Sequence, residues 1–287
     1  MPLGDRKLVP SCPREDTHTL QPGQPKPAEH RNAGVSPPNA SSPSDSSADA
    51  AADASANADS STAADSDASS SSPADPPFPQ SRNVIEPDCA RCPALAETRE
   101  CISWGTGPLD ASVIVVGEAP GPGNPDADRW KGGNWTGKGY TSRHSGRRIR
   151  RMLAQVGYDE TAYYTNAVKC FPADPEDPSS NREPTPEERA NCRPHLLTEL
   201  ETIDPTVVLA TGKHATKTVL AAEGKELDGF IDCVLEPVRC EALDVWLVPI
   251  LHPSYQDVWI GRLGYEPDEY LAAIRETLED VIDGAAQ

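Results

Sequence analysis

The stretch SVIVVGEAPG, residues 112–121, is the part of the sequence that decides the fold. Its first half is a β-branched apolar run and its second half brings glycine and proline, so it predicts a buried strand that ends in a tight loop. Three similar runs follow, at residues 163–168, 206–210 and 245–250. Because these runs are apolar on both faces, they favour a central, mostly parallel sheet of four strands.

Helical patterns alternate with these strands. Ser145–Val156 has apolar residues at helical spacing, and Thr185 begins a capping box with proline at the first helical position, which predicts a helix to about residue 201. Residues 212–222 and 267–282 supply two more helices. The alternation predicts an α/β fold, a compact three-layer sandwich, in which ligands bind beyond the carboxyl ends of the strands. We therefore expect the loops GEAPG, KCFP, TGKHATK and LHPSY to meet on one rim.

The first 80 residues have a different composition, dominated by Ala, Ser, Asp and Pro, with the most biased run at residues 41–72. Such a segment cannot bury enough apolar surface to offset its ordering entropy. We therefore predict that residues 1–80 are a disordered acidic tail, the alternative being an arm that binds a partner. Residues 81–287 are predicted to form one domain.

The chain is strongly acidic, with a formal net charge of −19 and only 8 lysines among its 26 cationic residues. This balance is typical of halophilic proteins, and the alternative is an ordinary acidic protein. In molar salt the Debye length is about 3 Å, so local charges matter more than the net value. Residues 129–151 contain eight cationic side chains and no carboxylate. This basic segment favours contact with phosphate groups over a merely solvated helix face.

No apolar run is long enough to span a membrane and the N-terminus lacks the apolar core of a signal peptide, so we expect a cytoplasmic protein.

The cysteines indicate a metal centre. In a reducing compartment, cysteines are metal ligands or buried thiols rather than disulfides. A C-x-x-C pair and two later cysteines could hold an iron–sulfur cluster or a zinc ion. The four candidate ligands are Cys89, Cys92, Cys170 and Cys192. The other four cysteines have no ligand spacing, and we expect structural roles for Cys12, Cys101, Cys233 and Cys240.

Six motifs in this order resemble the uracil-DNA glycosylase superfamily, most closely its iron–sulfur family 4. They are C-x-x-C-P at 89–93, V-G-E-A-P-G at 116–121, T-G-K-G-Y at 136–140, T-N-A-V-K-C at 165–170, N-R-E-P-T-P-E-E at 181–188 and H-P-S at 252–254. Two departures from family 4 indicate a divergent branch with features of family 5. The stretch after Glu-Ala-Pro is longer than usual, and Ser142 stands where glycine is common. The resemblance implies a monomeric enzyme that binds uracil-containing DNA. We expect no membrane partner, because no apolar run is long enough to span a bilayer. If the tail is a binding arm, we expect its partner to be a repair or replication protein.

The resemblance assigns roles to the residues of these motifs. It implies a [4Fe–4S] cluster on the four candidate cysteines, although the spacing by itself does not exclude zinc. Tyr140 would stack on the flipped base, where the family usually has Phe, and Gly117 would line the pocket. Asn166 would read the Watson–Crick edge, since its carboxamide has both a donor and an acceptor. Ser254 would approach a DNA phosphate.

The same resemblance suggests the catalytic groups. His252 would hydrogen-bond uracil O2 as negative charge develops there, and either Glu118 or Asn181 would position the attacking water. No lysine in the motifs suggests a Schiff base, so we expect hydrolysis of the N-glycosidic bond without strand cleavage. DNA contacts are expected from six basic side chains, Arg143, Arg147, Arg148, Lys213, His214 and Lys217. The alternatives are a catalytically silent iron–sulfur DNA-binding module of repair or replication, and an unrelated zinc protein.

Overall fold

The computed structural model describes residues 17–19 and 75–285. Most of the predicted tail, residues 1–80, lies outside the described residues. In the described part, the strands are β1 (Thr17–Thr19), β2 (Arg82–Val84), β3 (Val113–Gly117), β4 (Ala162–Asn166), β5 (Val207–Thr211), β6 (Val238–Cys240) and β7 (Val245–Ile250). The α-helices are α1 (Pro93–Thr98), α2 (Gly133–Thr136), α3 (Ser145–Val156), α4 (Pro186–Ile203), α5 (Lys213–Ala222), α6 (Gln256–Trp259) and α7 (Pro267–Ala285). Short 3₁₀ turns lie at Ile231–Cys233, Pro253–Tyr255 and Gly261–Leu263.

The central sheet has five strands in the order β4-β3-β5-β7-β6. The first four are parallel, and β6 pairs antiparallel with β7 at the edge. The predicted mostly parallel sheet is confirmed, but the predicted number of four strands is wrong by one. Strand β6 has only three residues, one of them charged, so it lacks the apolar run by which the other strands were found.

Helices cover both faces of the sheet and form three layers, as predicted. On one face, Val113 and Val115 of β3 pack with the apolar sides of α3 and α7. On the other face, Ile114 and Val116 pack with α4 and α5. Successive strand residues point to opposite faces, so this division follows directly from the run VIVV. All five residues of β3 are buried.

Helix α4 begins with the predicted capping box. The Thr185 hydroxyl accepts from the Glu188 backbone N–H at 3.2 Å, and the Glu188 carboxylate accepts from the Thr185 N–H at 2.8 Å. These two bonds fix the start of a helix that carries Cys192 in its second turn. Arg182 also pairs with Glu188 at 2.6 Å, which ties the preceding loop to the helix start.

Outside the central sheet, β1 pairs parallel with β2. Within the described ranges, no helix combines the length and apolar character needed to cross a bilayer.

Candidate active site and metal centre

A cavity that is partly open to solvent lies at the carboxyl ends of the parallel strands. The ends of three strands contribute Gly117, Asn166 and Thr211 to its wall, and His252 follows the end of β7. Glu118 also lines this cavity. Residues predicted to read the base and to act in catalysis, Asn181 excepted, therefore meet where the α/β topology places a ligand.

Tyr140 closes one side of this cavity. Its backbone has φ 52°, in the left-handed region, and its hydroxyl lies 2.7 Å from Thr211 Oγ1. A Cβ at Gly117 would come within 2.7 Å of the Tyr140 hydroxyl oxygen and 2.5 Å of Asn166 Oδ1. Any side chain at residue 117 would therefore displace the residues predicted to hold the base. This close approach explains why the V-G-E-A-P-G motif has glycine at that position.

His252 has a defined tautomer. Its Nδ1 accepts the Ser254 backbone N–H at 3.2 Å, so the ring proton of the neutral imidazole is on Nε2. Burial and, to a smaller extent, the neighbouring His214 lower the pKa of His252 to about 4. The ring is therefore a neutral N–H donor at pH 7. The Ser254 residue itself is exposed.

Glu118 titrates close to neutrality. The pKa of Glu118 is raised to about 7, mainly by burial and further by the Glu183 charge, with Arg189 opposing the rise. Glu183 itself accepts from Arg189 Nη1 at 2.9 Å and lies 2.9 Å from His214 Nδ1. Sequence reasoning missed Glu183, although it stands inside the quoted N-R-E-P motif. Its charge adds to the larger effect of burial, and together they bring the pKa of Glu118 into the range useful to a general base.

Asn181 lies apart from these residues. The residue is exposed, and its backbone forms an isolated β-bridge with Ala173. Asn181 does not line the cavity. The two residues predicted to position water are therefore in different places, and Glu118 is the one inside the cavity.

A second cavity, also partly open to solvent, is lined by all four candidate cysteines. None of the four is in a disulfide. Each sulfur has a nitrogen within hydrogen-bonding distance: His195 Nε2 at 3.4 Å from Cys89, Asn191 Nδ2 at 3.7 Å from Cys92, Arg99 Nη1 at 3.3 Å from Cys170 and the Lys169 backbone N at 3.2 Å from Cys192. Four cysteines around one cavity, each with a nitrogen near its sulfur, fit a metal centre held by thiolates.

A second possible set of metal ligands includes one of the four cysteines. Glu86, Cys89 and His195 place ligand atoms within 4.8 Å of one another, a mixed donor set that overlaps the four cysteines. Such a set is also suited to zinc.

Cys101, for which we expected a structural thiol, is disulfide-bonded, so the expectation of no disulfides was wrong there.

The model of the uracil DNA glycosylase superfamily matches residues 104–279, which contain two of the four cysteines and every residue that lines the first cavity except Ser103. The chain belongs to the uracil-DNA glycosylase superfamily. It is 34% identical over 173 residues to the type-4 uracil-DNA glycosylase of Thermotoga maritima, covering 58% of this chain and 77% of that protein. It is 32% identical over 208 residues to the type-5 uracil-DNA glycosylase of Pyrobaculum aerophilum, covering 62% of this chain and 84% of that protein.

The six residues predicted to bind DNA lie on helices α3 and α5 and in the turn before α3. Arg143 is exposed just before α3, whereas Arg147 pairs with Asp75 at 2.5 Å and Arg148 pairs with Asp257. Lys213 and Lys217 are exposed on the first turns of α5, and His214 lies between them.

One arginine of the basic segment has a different role. Arg150 is buried and donates to the Tyr140 and Gly139 carbonyls and to Thr106 Oγ1, at 2.8–3.1 Å. It therefore holds the backbone of the cavity wall. Burial lowers the pKa of Arg150 to about 10, which still leaves it charged at pH 7.

Proposed function

We propose that this protein is a monofunctional uracil-DNA glycosylase, which hydrolyses the N-glycosidic bond of a uracil flipped out of DNA and leaves an abasic site. One observation supports this most directly. A carboxamide, a neutral imidazole N–H donor and a carboxylate with a raised pKa, from Asn166, His252 and Glu118, line the same cavity. The names of its relatives, uracil-DNA glycosylases of types 4 and 5, agree with this proposal.

Recognition of the base would involve Asn166 and Tyr140. Extracting a base from the stack costs a few kcal/mol, which contacts in the pocket must offset. The Asn166 carboxamide can donate to one atom of the Watson–Crick edge and accept from its neighbour, a pattern that fits uracil O4 and N3–H. Tyr140, held through Thr211, offers an aromatic face for stacking.

Bond cleavage would depend on charge stabilisation at both ends of the breaking bond. The leaving uracil becomes negative, and the His252 Nε2–H can donate to its O2 without first losing a proton. The sugar becomes positive and needs a water molecule. We assign the water to Glu118, which lines the cavity and whose pKa of about 7 leaves a large ionised fraction at neutral pH. Asn181 is the weaker candidate because it is outside the cavity.

Binding of the DNA backbone would involve the two basic helices. The exposed Lys213 and Lys217 lie at the N-terminus of α5, where backbone N–H groups also favour anions. Arg143, Arg147 and Arg148 would add phosphate contacts, and Ser254 would lie beside a phosphate near His252. Because each such contact releases counterions, binding should weaken as salt rises.

The cofactor proposed for the four cysteines is a [4Fe–4S] cluster. When bound, it would supply a cross-link between the segment before α1, the loop after β4 and helix α4, with no part in bond cleavage. In support, the four cysteines line one cavity, and a nitrogen lies near each sulfur. Iron and sulfide analysis of the purified protein, with its visible spectrum, separates this cluster from zinc.

The experiment that tests the function is an assay on duplex oligonucleotides with a single uracil, followed by alkali to cut abasic sites. We expect His252→Ala to lower kcat about 100- to 1,000-fold, as removal of one transition-state donor does. His144→Ala is the matched control, because His144 is exposed. If the wild-type protein binds the duplex but leaves uracil in place at every salt concentration, the chain is instead a silent DNA-binding module.

A further inference from the structure

Ser103 has a buried hydroxyl with no partner. Its relative exposure is 0%, and within residues 17–19 and 75–285 its Oγ makes no hydrogen bond. Ser103 nevertheless lines the cavity that also contains Asn166 and His252. No motif of the sequence drew attention to this residue. A buried hydroxyl without a partner is unfavourable, and native proteins keep few of them, so its presence in a cavity wall calls for a ligand.

The surroundings hold Ser103 firmly in this position. Its backbone N–H donates to the Lys169 carbonyl at 2.7 Å, and the next residue, Trp104, donates to the Gly137 carbonyl at 3.0 Å. On the side-chain side, a Cβ at Gly133 would come 2.3 Å from Ser103 Oγ. The hydroxyl is therefore packed against the backbone of α2 and has little freedom to reach a different partner. The absence of a side chain at residue 133 is what leaves space for it.

We propose that the Ser103 hydroxyl hydrogen-bonds a polar atom of the flipped base and is a specificity-determining residue. The inference rests on the proposed glycosylase function. A hydroxyl can rotate to donate to a carbonyl oxygen or to accept from a ring N–H, and uracil carries both kinds of group. The bond exists only when the base is in the cavity, so the free protein bears an unsatisfied hydroxyl that the bound base satisfies.

The test uses Ser103→Ala and DNA that cannot be cleaved. A duplex with one 2′-fluoro-2′-deoxyuridine is the probe, and the same duplex with thymidine at that position measures background binding. We expect Ser103→Ala to weaken binding of the probe about 3- to 10-fold, the contribution of one hydrogen bond, and to leave background binding unchanged. Because no bond is lost in the free protein, its melting temperature should stay the same or rise.

A matched control distinguishes a ligand contact from a structural serine. Ser142 lines the same cavity, but its Oγ lies 2.8 Å from Ser145 Oγ and accepts from the Gly146 N–H at 2.9 Å. Ser142→Ala should therefore lower the melting temperature, whereas Ser103→Ala should not.

Two results would overturn the inference about Ser103. One is a Ser103→Ala protein that prefers the probe as strongly as the wild type does, and the other is a Ser103→Ala protein that melts earlier, as Ser142→Ala is expected to do. A different result, a wild-type protein that binds the probe no better than the thymidine duplex, would overturn the proposed function and this inference with it.

Discussion

Lys169→Met should strongly destabilise the protein. Lys169 and Glu199 form an ion pair of 2.5 Å with side-chain exposures of 1% and 0%. Lys169 Nζ also donates to Thr165 Oγ1 at 2.5 Å and to the Asn166 carbonyl at 2.7 Å. Removing one member of a buried pair leaves the other uncompensated, which costs about 3–5 kcal/mol. For a domain of roughly 200 residues this corresponds to a decrease of about 6–20 °C in Tm.

The double variant Lys169→Met with Glu199→Leu separates the charge effect from the packing effect. Replacing both charges by apolar side chains is often close to neutral, so most of the lost stability should return. A deficit of about 1–3 kcal/mol should remain, because the Tyr163 and Thr165 hydroxyls lose the Glu199 carboxylate as acceptor. In both variants the Asn166 carbonyl lacks its lysine donor. We therefore expect a higher KM for uracil-containing DNA even where stability has recovered.

The assay is urea denaturation followed by circular dichroism under anaerobic conditions, with iron content measured on the same samples. Lys217→Met is the control, since Lys217 is exposed and its loss should change the free energy of unfolding by less than about 0.5 kcal/mol. The reasoning fails if Lys169→Met costs under 1 kcal/mol while iron content is unchanged. It also fails if the double variant is no more stable than the single one.

Three other predictions concern the cavity, the basic helix and the metal centre. Activity should rise with pH through about 7 as Glu118 ionises, and Glu118→Gln should abolish that rise in a pH–rate profile. Because the raised pKa means that ionisation of Glu118 costs folding stability, Glu118→Gln should raise the melting temperature more at pH 8 than at pH 4. Asp75→Asn should tighten DNA binding at low salt by up to about 5-fold, because Asp75 pairs with Arg147 and Arg151, and a titration showing equal or weaker binding would argue against phosphate contacts there. Cys170→Ser should lose iron and visible absorption together, and full iron retention would contradict its assignment as a ligand.

The regular elements could be predicted because their signals are local. The four parallel strands are apolar runs, and their predicted limits lie within two residues of those observed. The start of α4 followed from the capping box at Thr185, and α3 was predicted with its observed bounds. Strand β6 escaped prediction because it is held by pairing with β7 rather than by its own composition.

The order of motifs along the chain was also enough to indicate the superfamily and to select the cavity residues Glu118, Asn166 and His252. It could not decide between Glu118 and Asn181, because a motif states which residues are present and leaves open which side chains reach the cavity. Nor could it indicate Glu183 as the charge beside Glu118, since that neighbour belongs to a loop 65 residues away in the chain.

The fold class, the motifs and the set of candidate ligands could be read from the amino-acid sequence, because they depend on hydrophobic periodicity and on residue types at short spacing. Which groups are buried, paired or left without a partner became known from the three-dimensional contacts. The pKa of Glu118, the tautomer of His252, the ion pair of Lys169 and the unsatisfied hydroxyl of Ser103 all arise from atoms distant in sequence that packing brings together. Such long-range contacts leave no periodic signal in the chain.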